Sequence, residues 1–176
     1  MRFAYADPPY IGRSSYYKDH PDYAGEVDHQ QLIDQLISEY PDGWALSCSS
    51  SSLPILLPMC TIKVRVGAWV KPFASFKKGV NPAYAWEPVI FHGGRKRDPA
   101  DPTHRDWVSE NITMKKGLPG AKPYAFCVWL FNLLNIRRGD VFDDLFPGTG
   151  KVTEYLSVYL GNQGEQMDFF GEAEVK

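Results

Sequence analysis

The sequence predicts an α/β protein, with a mainly parallel β-sheet wrapped by helices on both faces. Three observations predict it. Apolar runs of strand length alternate with segments of helical periodicity along the chain. The first run, Phe3-Ala4-Tyr5-Ala6, stops at Asp7-Pro8-Pro9-Tyr10. Toward the other end, Val141-Phe142-Asp143-Asp144 leads into a glycine turn, Pro147-Gly148-Thr149-Gly150, and then into a helix. Strands alternating with helices build parallel sheets, because a parallel pair needs a crossover long enough to hold a helix.

Each element has its own signal. Residues 3–6 read as a buried strand, and residues 11–23 as a polar, aromatic loop. Leu32, Ile33, Leu36 and Ile37 form an apolar stripe within residues 28–38, a helix capped by Asp28 or its predecessors. Asp42-Gly43 is a turn, and Trp44-Ala45-Leu46-Ser47-Cys48 a strand. The serines at 49–52 open a helix over 53–59 that Pro54 and Pro58 keep short. Residues 61–70 alternate like a strand, and Val89-Ile90-Phe91 form another. Residues 93–120 are a charged loop insert with one short strand at 107–114. Residues 125–134 are an apolar helix, and residues 152–160 another that Gly161-Asn162-Gln163-Gly164 ends. Residues 167–174 are either a short strand or a frayed acidic tail. No internal repeat appears, and residues 1–176 read as one domain.

Composition bounds the function. A chain of 176 residues with 44% hydrophobic content can bury an adequate core. Its net charge of −2 is low for a stand-alone nucleic-acid binder, so such contacts must come from a local patch or a partner. Cys48, Cys60 and Cys127 sit in apolar surroundings without metal-ligand spacing and read as reduced core residues of a cytoplasmic protein; the histidines show no ligand pattern either. The first ten residues lack the apolar core of a signal peptide. The longest apolar stretch, residues 125–134, is too short to span a membrane.

The tetrapeptide carries chemistry. Pro8 and Pro9 fix two φ angles and remove two backbone donors, which leaves the preceding carbonyls free to accept hydrogen bonds. Asp7 accepts as well, and Tyr10 offers a flat face. That set suits a planar substrate with an exocyclic amino group, of which adenine is an example. In the glycine turn, Gly148 and Gly150 let backbone approach a ligand closely. Lys151 hints at a phosphate loop, but Leu145 stands where that motif needs Gly and Val152 where it needs Ser or Thr. The acidic pair Asp143 and Asp144 would repel phosphate and suit a ligand with positive charge or hydroxyl donors.

These motifs together resemble the amino-group DNA methyltransferases, which methylate adenine N6 or cytosine N4. Asp7-Pro8-Pro9-Tyr10 matches that family's catalytic motif, and Asp144-Leu145-Phe146-Pro147-Gly148-Thr149-Gly150 its cofactor loop. Gly120-Ala121-Lys122-Pro123, with the helix after it, matches the segment preceding that loop. Arg65-Val66-Gly67-Ala68-Trp69-Val70-Lys71-Pro72 and Trp86-Glu87-Pro88-Val89-Ile90-Phe91 resemble two further strands. The catalytic motif comes first and the cofactor loop last, the circularly permuted order. The match touches most of residues 3–160. It departs in the shortness of the chain, the near absence of a target-recognition region, and the little that follows the cofactor loop.

The resemblance implies a Rossmann-like methyltransferase fold and S-adenosylmethionine as cofactor, with no metal. It implies catalysis by Asp7, Pro8, Pro9 and Tyr10. It implies cofactor contacts from Asp7, Lys122, Asp144, Phe146, Gly148, Thr149 and Gly150, with Glu172 or Glu174 on the ribose hydroxyls. The partner is DNA, with its adenine extruded from the stack; Asp rather than Ser at position 7 favours adenine. Cytosine N4, adenine in RNA, and a non-catalytic subunit of the same fold are the alternatives. Arg13 and Tyr16 follow the catalytic motif, and Lys77, Lys78, Arg95, Lys96 and Arg97 supply positive charge for a phosphate backbone, against the plainer reading of an ordinary solvated loop. So small a domain has little surface for DNA, which suits a homodimer. Host restriction, phage self-protection and regulatory marking look alike at this level.

Overall fold

The computed structural model describes residues 1–18, 25–73, 79–112 and 121–171, without the side chains of 16–17 and 163–171. The elements are β1 (Arg2–Ala6), α1 (His29–Glu39), β2 (Gly43–Ser47), α2 (Leu53–Leu56), β3 (Arg65–Val70), β4 (Trp86–Gly93), β5 (Trp107–Ser109), α3 (Tyr124–Leu134), β6 (Val141–Asp144) and α4 (Lys151–Gly171). They form one sheet with strand order β5-β3-β4-β2-β1-β6. β1 pairs in parallel with β2 and β6, and β3 with β5, whereas β4 is antiparallel to both β2 and β3. The sheet is therefore mainly parallel, with β4 alone reversed. Its reversal has a local cause. Residues 71–85 carry Pro72, Gly79 and Pro82, which do not support a crossover helix, and the Lys71 amide donates to the Ala85 carbonyl at 2.8 Å to close a hairpin.

Side-chain alternation divides the core into two layers. Ala4 and Ala6 of β1 join Trp44, Leu46 and Ile90 under α1 (Leu32, Ile33, Leu36) and α2 (Leu56). Phe3 and Tyr5 face the other way, with Ala45, Trp69, Val89 and Phe91, under α3 and α4. The apolar stripe read from the sequence is the buried face of α1, and Asp28 caps that helix by accepting from the Gln31 amide at 3.0 Å. α3 buries Phe126, Cys127, Trp129, Leu130, Phe131 and Leu134, more than one helix face, and so is the central helix of its layer.

Three elements differ from expectation. β3 starts at Arg65 rather than near Thr61, because the Lys63 carbonyl is engaged by the His92 ring at 2.8 Å instead of a ladder. β5 ends at Ser109: the Glu110 amide still reaches the Val70 carbonyl at 3.0 Å, but the Asn111 side chain then turns to the Phe73 amide at 3.0 Å. α4 does not stop at Gly161 or Gly164 but continues to Gly171, so residues 167–171 are helical rather than a strand. A glycine inside a helix costs only about 1 kcal/mol relative to alanine, too little to end one by itself.

The buried wall of α3 yields a stability prediction. Leu130 has no exposed surface and lies within the core layer between the sheet and α3. Leu130→Ala is expected to cost about 2–5 kcal/mol, read as a lowered urea midpoint at unchanged slope.

Candidate active site

β1 and β6 lie side by side in register, Tyr5 opposite Asp144, and the Leu145 amide donates to the Tyr5 carbonyl at 2.9 Å. The chain leaving β1 runs to α1 on one face, and the chain leaving β6 runs to α4 on the other. Neighbouring strands whose helices depart to opposite faces open a crevice at their C-terminal ends. Asp7-Pro8-Pro9-Tyr10 and the glycine turn both begin at that crevice.

Continuing the β1 alternation, Asp7 falls on the α3 face. Lys122, just before α3, is buried there, with Nζ 3.0 Å from Asp7 Oδ1 and 3.4 Å from Glu87 Oε2. Glu87 also receives the Lys71 ammonium and the Tyr10 hydroxyl, the latter at 3.0 Å. The Trp69 ring lies beneath both ammonium groups, its centroid 4.4 Å from Lys71 Nζ and 5.4 Å from Lys122 Nζ. Tyr5, behind Asp7, hydrogen-bonds Ser47 hydroxyl to hydroxyl at 2.8 Å. Asp7, Glu87, Lys71 and Lys122 thus balance to zero net charge inside an aromatic wall.

Burial alone would discharge Lys122, but Asp7, then Tyr5 and Glu87, hold its ammonium well above the ordinary lysine range. Burial raises the Asp7 carboxyl, and Lys122 offsets this only in part. For Glu87 the balance tips the other way: Lys122 and Lys71 outweigh burial and keep it below the usual carboxylate range. Burial lifts the Tyr10 phenol far above its ordinary value, with the Asp7 and Glu87 charges adding to the effect, so Tyr10 stays a neutral donor.

The acidic pair expected to act together is divided by the sheet. Asp143 faces the α1 layer, where it holds Arg2 at 2.9 Å and accepts from the Tyr40 hydroxyl at 2.9 Å. Asp144 faces the α3 layer with Asp7. Its Oδ1 accepts weakly from the Phe146 amide at 3.4 Å, while its Oδ2 is buried and meets no donor among the described residues. Burial raises its carboxyl to about 6, and the Asp7 charge adds to the rise. In the turn beyond it, Gly148 and Gly150 adopt φ of 49° and 71°; a Cβ at Gly148 would meet nothing nearer than 4.0 Å and one at Gly150 nothing within 4 Å. The backbone there is open to a ligand. Phe146 is half-buried against the α1 layer, Thr149 is exposed, and Lys151 is engaged with Glu154 at 2.5 Å.

The remaining candidates lie elsewhere. Arg95 pairs with the buried Asp140 at 2.5 Å, and Arg97 donates to the Asn132 carbonyl at the end of α3. Both sit where β4 ends and β6 begins, the opposite end of the sheet from Asp7, and Lys96 lies between them. The structure does not bring this basic run to the crevice. Arg13 stands beside it, in the turn closed by its amide on the Tyr10 carbonyl at 2.8 Å. Tyr16 is described by its backbone alone, in a single 3₁₀ turn. Lys77, Lys78, Glu172 and Glu174 lie outside the described residues. Sequence reasoning assigned no role to Glu87, Lys71 or Trp69. The available signal was a charge at the end of an otherwise apolar strand, seen twice, at Val70-Lys71 and Trp86-Glu87.

Removing the central cation tests this arrangement. Lys122→Met leaves two carboxylates buried side by side and is expected to cost about 3–5 kcal/mol at neutral pH. Stranded carboxyls have raised pKa values, so the folded chain binds protons more tightly than the unfolded one and the deficit shrinks on acidification. Chemical denaturation at about pH 7.5 and again at about pH 5.5, nearer the carboxylate range, reads both effects.

No family model and no curated protein sequence matches the chain. Solved structures do. The crystal structure of an M1.HpyAVI-SAM complex superposes with a TM-score of 0.63 at 14% identity, covering 90% of this chain and 78% of that one. The crystal structure of M1.HpyAVI superposes with a TM-score of 0.56 at 15% identity, covering 89% and 76%. The chain has the fold of these proteins.

Proposed function

We propose that the chain transfers a methyl group from S-adenosylmethionine to the N6 amino group of adenine in DNA. The observation that carries this reading is the meeting of two acceptor sets at one crevice, Asp7 at the end of β1 and the unpartnered Asp144 oxygen at the end of β6. The residues fit the cofactor. Asp144 Oδ2 lacks a donor among the described residues, which an ammonium or hydroxyl would supply, and the open backbone of Gly148 and Gly150 admits a close neighbour. M1.HpyAVI, solved with SAM on the same fold, supports the same reading.

S-adenosylmethionine supplies a methyl carbon already activated by its sulfonium. The protein's share is positioning and charge. An exocyclic amine on a purine is a poor nucleophile because its lone pair is delocalised. Hydrogen bonds from its two N–H groups to the Asp7 carboxylate and the Pro8 carbonyl draw it toward tetrahedral geometry. Holding it in line contributes about 7–11 kcal/mol. As positive charge develops on that nitrogen, the adjacent Asp7 carboxylate stabilises it. Tyr10 presents a ring on which the base stacks, worth about 1–3 kcal/mol. Asp7 removes no proton before attack, since the product ammonium sheds one readily.

The test is transfer of labelled methyl to DNA, followed by mass analysis of nucleosides, which separates N6-methyladenine from N4-methylcytosine. Asp7→Ala is expected to abolish transfer while SAM affinity in calorimetry stays near wild type. Wild-type turnover in that variant would overturn the assigned chemistry. Gly148→Val is expected to eliminate SAM binding instead.

Asp144 adds a pH signature. A ligand that donates to its carboxylate keeps full affinity above pH about 6 and loses it as pH falls through that value. Asp144→Asn is expected to bind SAM weakly with no such dependence. The same variant melts at higher temperature at neutral pH, because a carboxyl with a raised folded-state pKa costs stability once ionised.

A further inference from the structure

We propose that Glu87 is a positioning residue for methyl transfer, aiming the Tyr10 ring through one hydrogen bond and drawing Lys122 off Asp7 through one ion pair. The inference rests on the reading of Asp7 as the acceptor for the target amine. Glu87 lies on β4, two strands from β1 in the sheet. Its carboxylate nevertheless reaches both functional groups. One oxygen, Oε2, accepts from the Tyr10 hydroxyl at 3.0 Å and meets Lys122 at 3.4 Å; the other takes Lys71.

Tyr10 follows two prolines on a loop, so its backbone alone does not fix where the ring points. The hydroxyl bond to Glu87 does. It ties a loop residue to a strand whose neighbours on both sides are hydrogen-bonded, the kind of support that turns a mobile side chain into a fixed stacking face. The charge argument is separate. An acceptor that shares its proton-rich neighbour with a second carboxylate is a stronger acceptor than one facing that cation alone. Lys122 lies 3.0 Å from Asp7, and Glu87 competes for it. With Glu87 neutral, Asp7, Lys71 and Lys122 would sum to one excess positive charge at the moment the amine turns positive. Lys71 has the opposite role, since it neutralises Glu87 from the far side.

The charged and titratable groups facing Asp7 include Lys122 before α3, Cys127 of α3, Glu87 of β4, Lys71 after β3, Tyr5 of β1, Tyr10 of the loop and Asp144 of β6. Of these, Glu87 raises the Asp7 carboxyl and Lys71 lowers it. The two substitutions therefore move the acid limb of the rate profile in opposite directions, which loss of packing would not do.

The experiment compares kcat against pH for the full chain and for Glu87→Gln, Lys71→Met and Tyr10→Phe, with labelled SAM and an adenine-containing oligonucleotide. Glu87→Gln keeps the shape and an acceptor for Tyr10 but removes the charge. It is expected to lower kcat by about tenfold, leave SAM affinity unchanged, and shift the acid limb to lower pH. Lys71→Met is expected to shift that limb to higher pH. Tyr10→Phe, which keeps the charge and frees the ring, is expected to raise the KM for the oligonucleotide without moving the limb. Limbs that stay in place or move together in the first two variants overturn the inference while the wild-type activity stands. A wild-type chain that binds SAM but transfers no methyl overturns the proposed function itself. If Glu87→Gln fails to fold, the Lys71→Met and Tyr10→Phe profiles decide the question alone.

Discussion

A buried ammonium between two carboxylates is the constraint on which the crevice end of this molecule depends. Lys122 is almost fully enclosed, and what makes its burial tolerable is the pair of acceptors, Asp7 and Glu87, on either side. Each comes from a different element: Asp7 from the end of β1, Glu87 from β4, and Lys122 from the segment leading into α3. A charge taken out of water is recovered only if its partners are held in place. The sheet holds two of them, and the packing of Phe126, Trp129 and Leu130 holds the third by seating α3. Trp69 and Phe126 supply ring faces within 6 Å of the ammonium, so the cation is surrounded by electron-rich groups wherever it lacks an oxygen.

The reversed strand β4 is what makes this arrangement possible. In a fully parallel sheet the strand next to β2 would bring its C-terminal end to the crevice. Here β4 brings its beginning, and with it Glu87, while its far end carries Arg95 and Arg97 away to the opposite edge. One strand direction therefore decides both that a carboxylate is present beside Asp7 and that the basic run is not. The chain's modest net charge fits a surface whose described arginines at positions 95 and 97 are committed to holding α3 and β6 in place.

Much of the fold was legible because period and punctuation are local. The stripe Leu32, Ile33, Leu36 and the cap Asp28 specify α1 within a dozen residues, and the run before Asp7 marks β1 as plainly. That the two motifs belong to one site came from the family resemblance rather than from any local signal, and β1 and β6 are neighbours in the sheet. What could not be read were properties set by residues distant in sequence. Nothing local says that Asp143 looks one way to Arg2 and Tyr40 while Asp144 looks the other. Glu87 and Lys71 were visible only as charges at strand ends, and their meeting with Lys122 depends on the hairpin between β3 and β4. The length of α4 was misread for a different reason. Gly161 and Gly164 read as stop signals, yet their small cost is outweighed by the packing of Val152, Tyr155 and Leu156 upstream.

The division of Asp143 from Asp144 has a further consequence for how such a site is inherited. Two adjacent acids of one type sit in one strand, yet one answers to the architecture and the other to whatever occupies the crevice. A descendant selected for its shape alone would be free to lose the second while still being held to the first by Arg2 and Tyr40. Unequal decay at those two neighbouring codons would then mark a lineage in which only the architecture was kept.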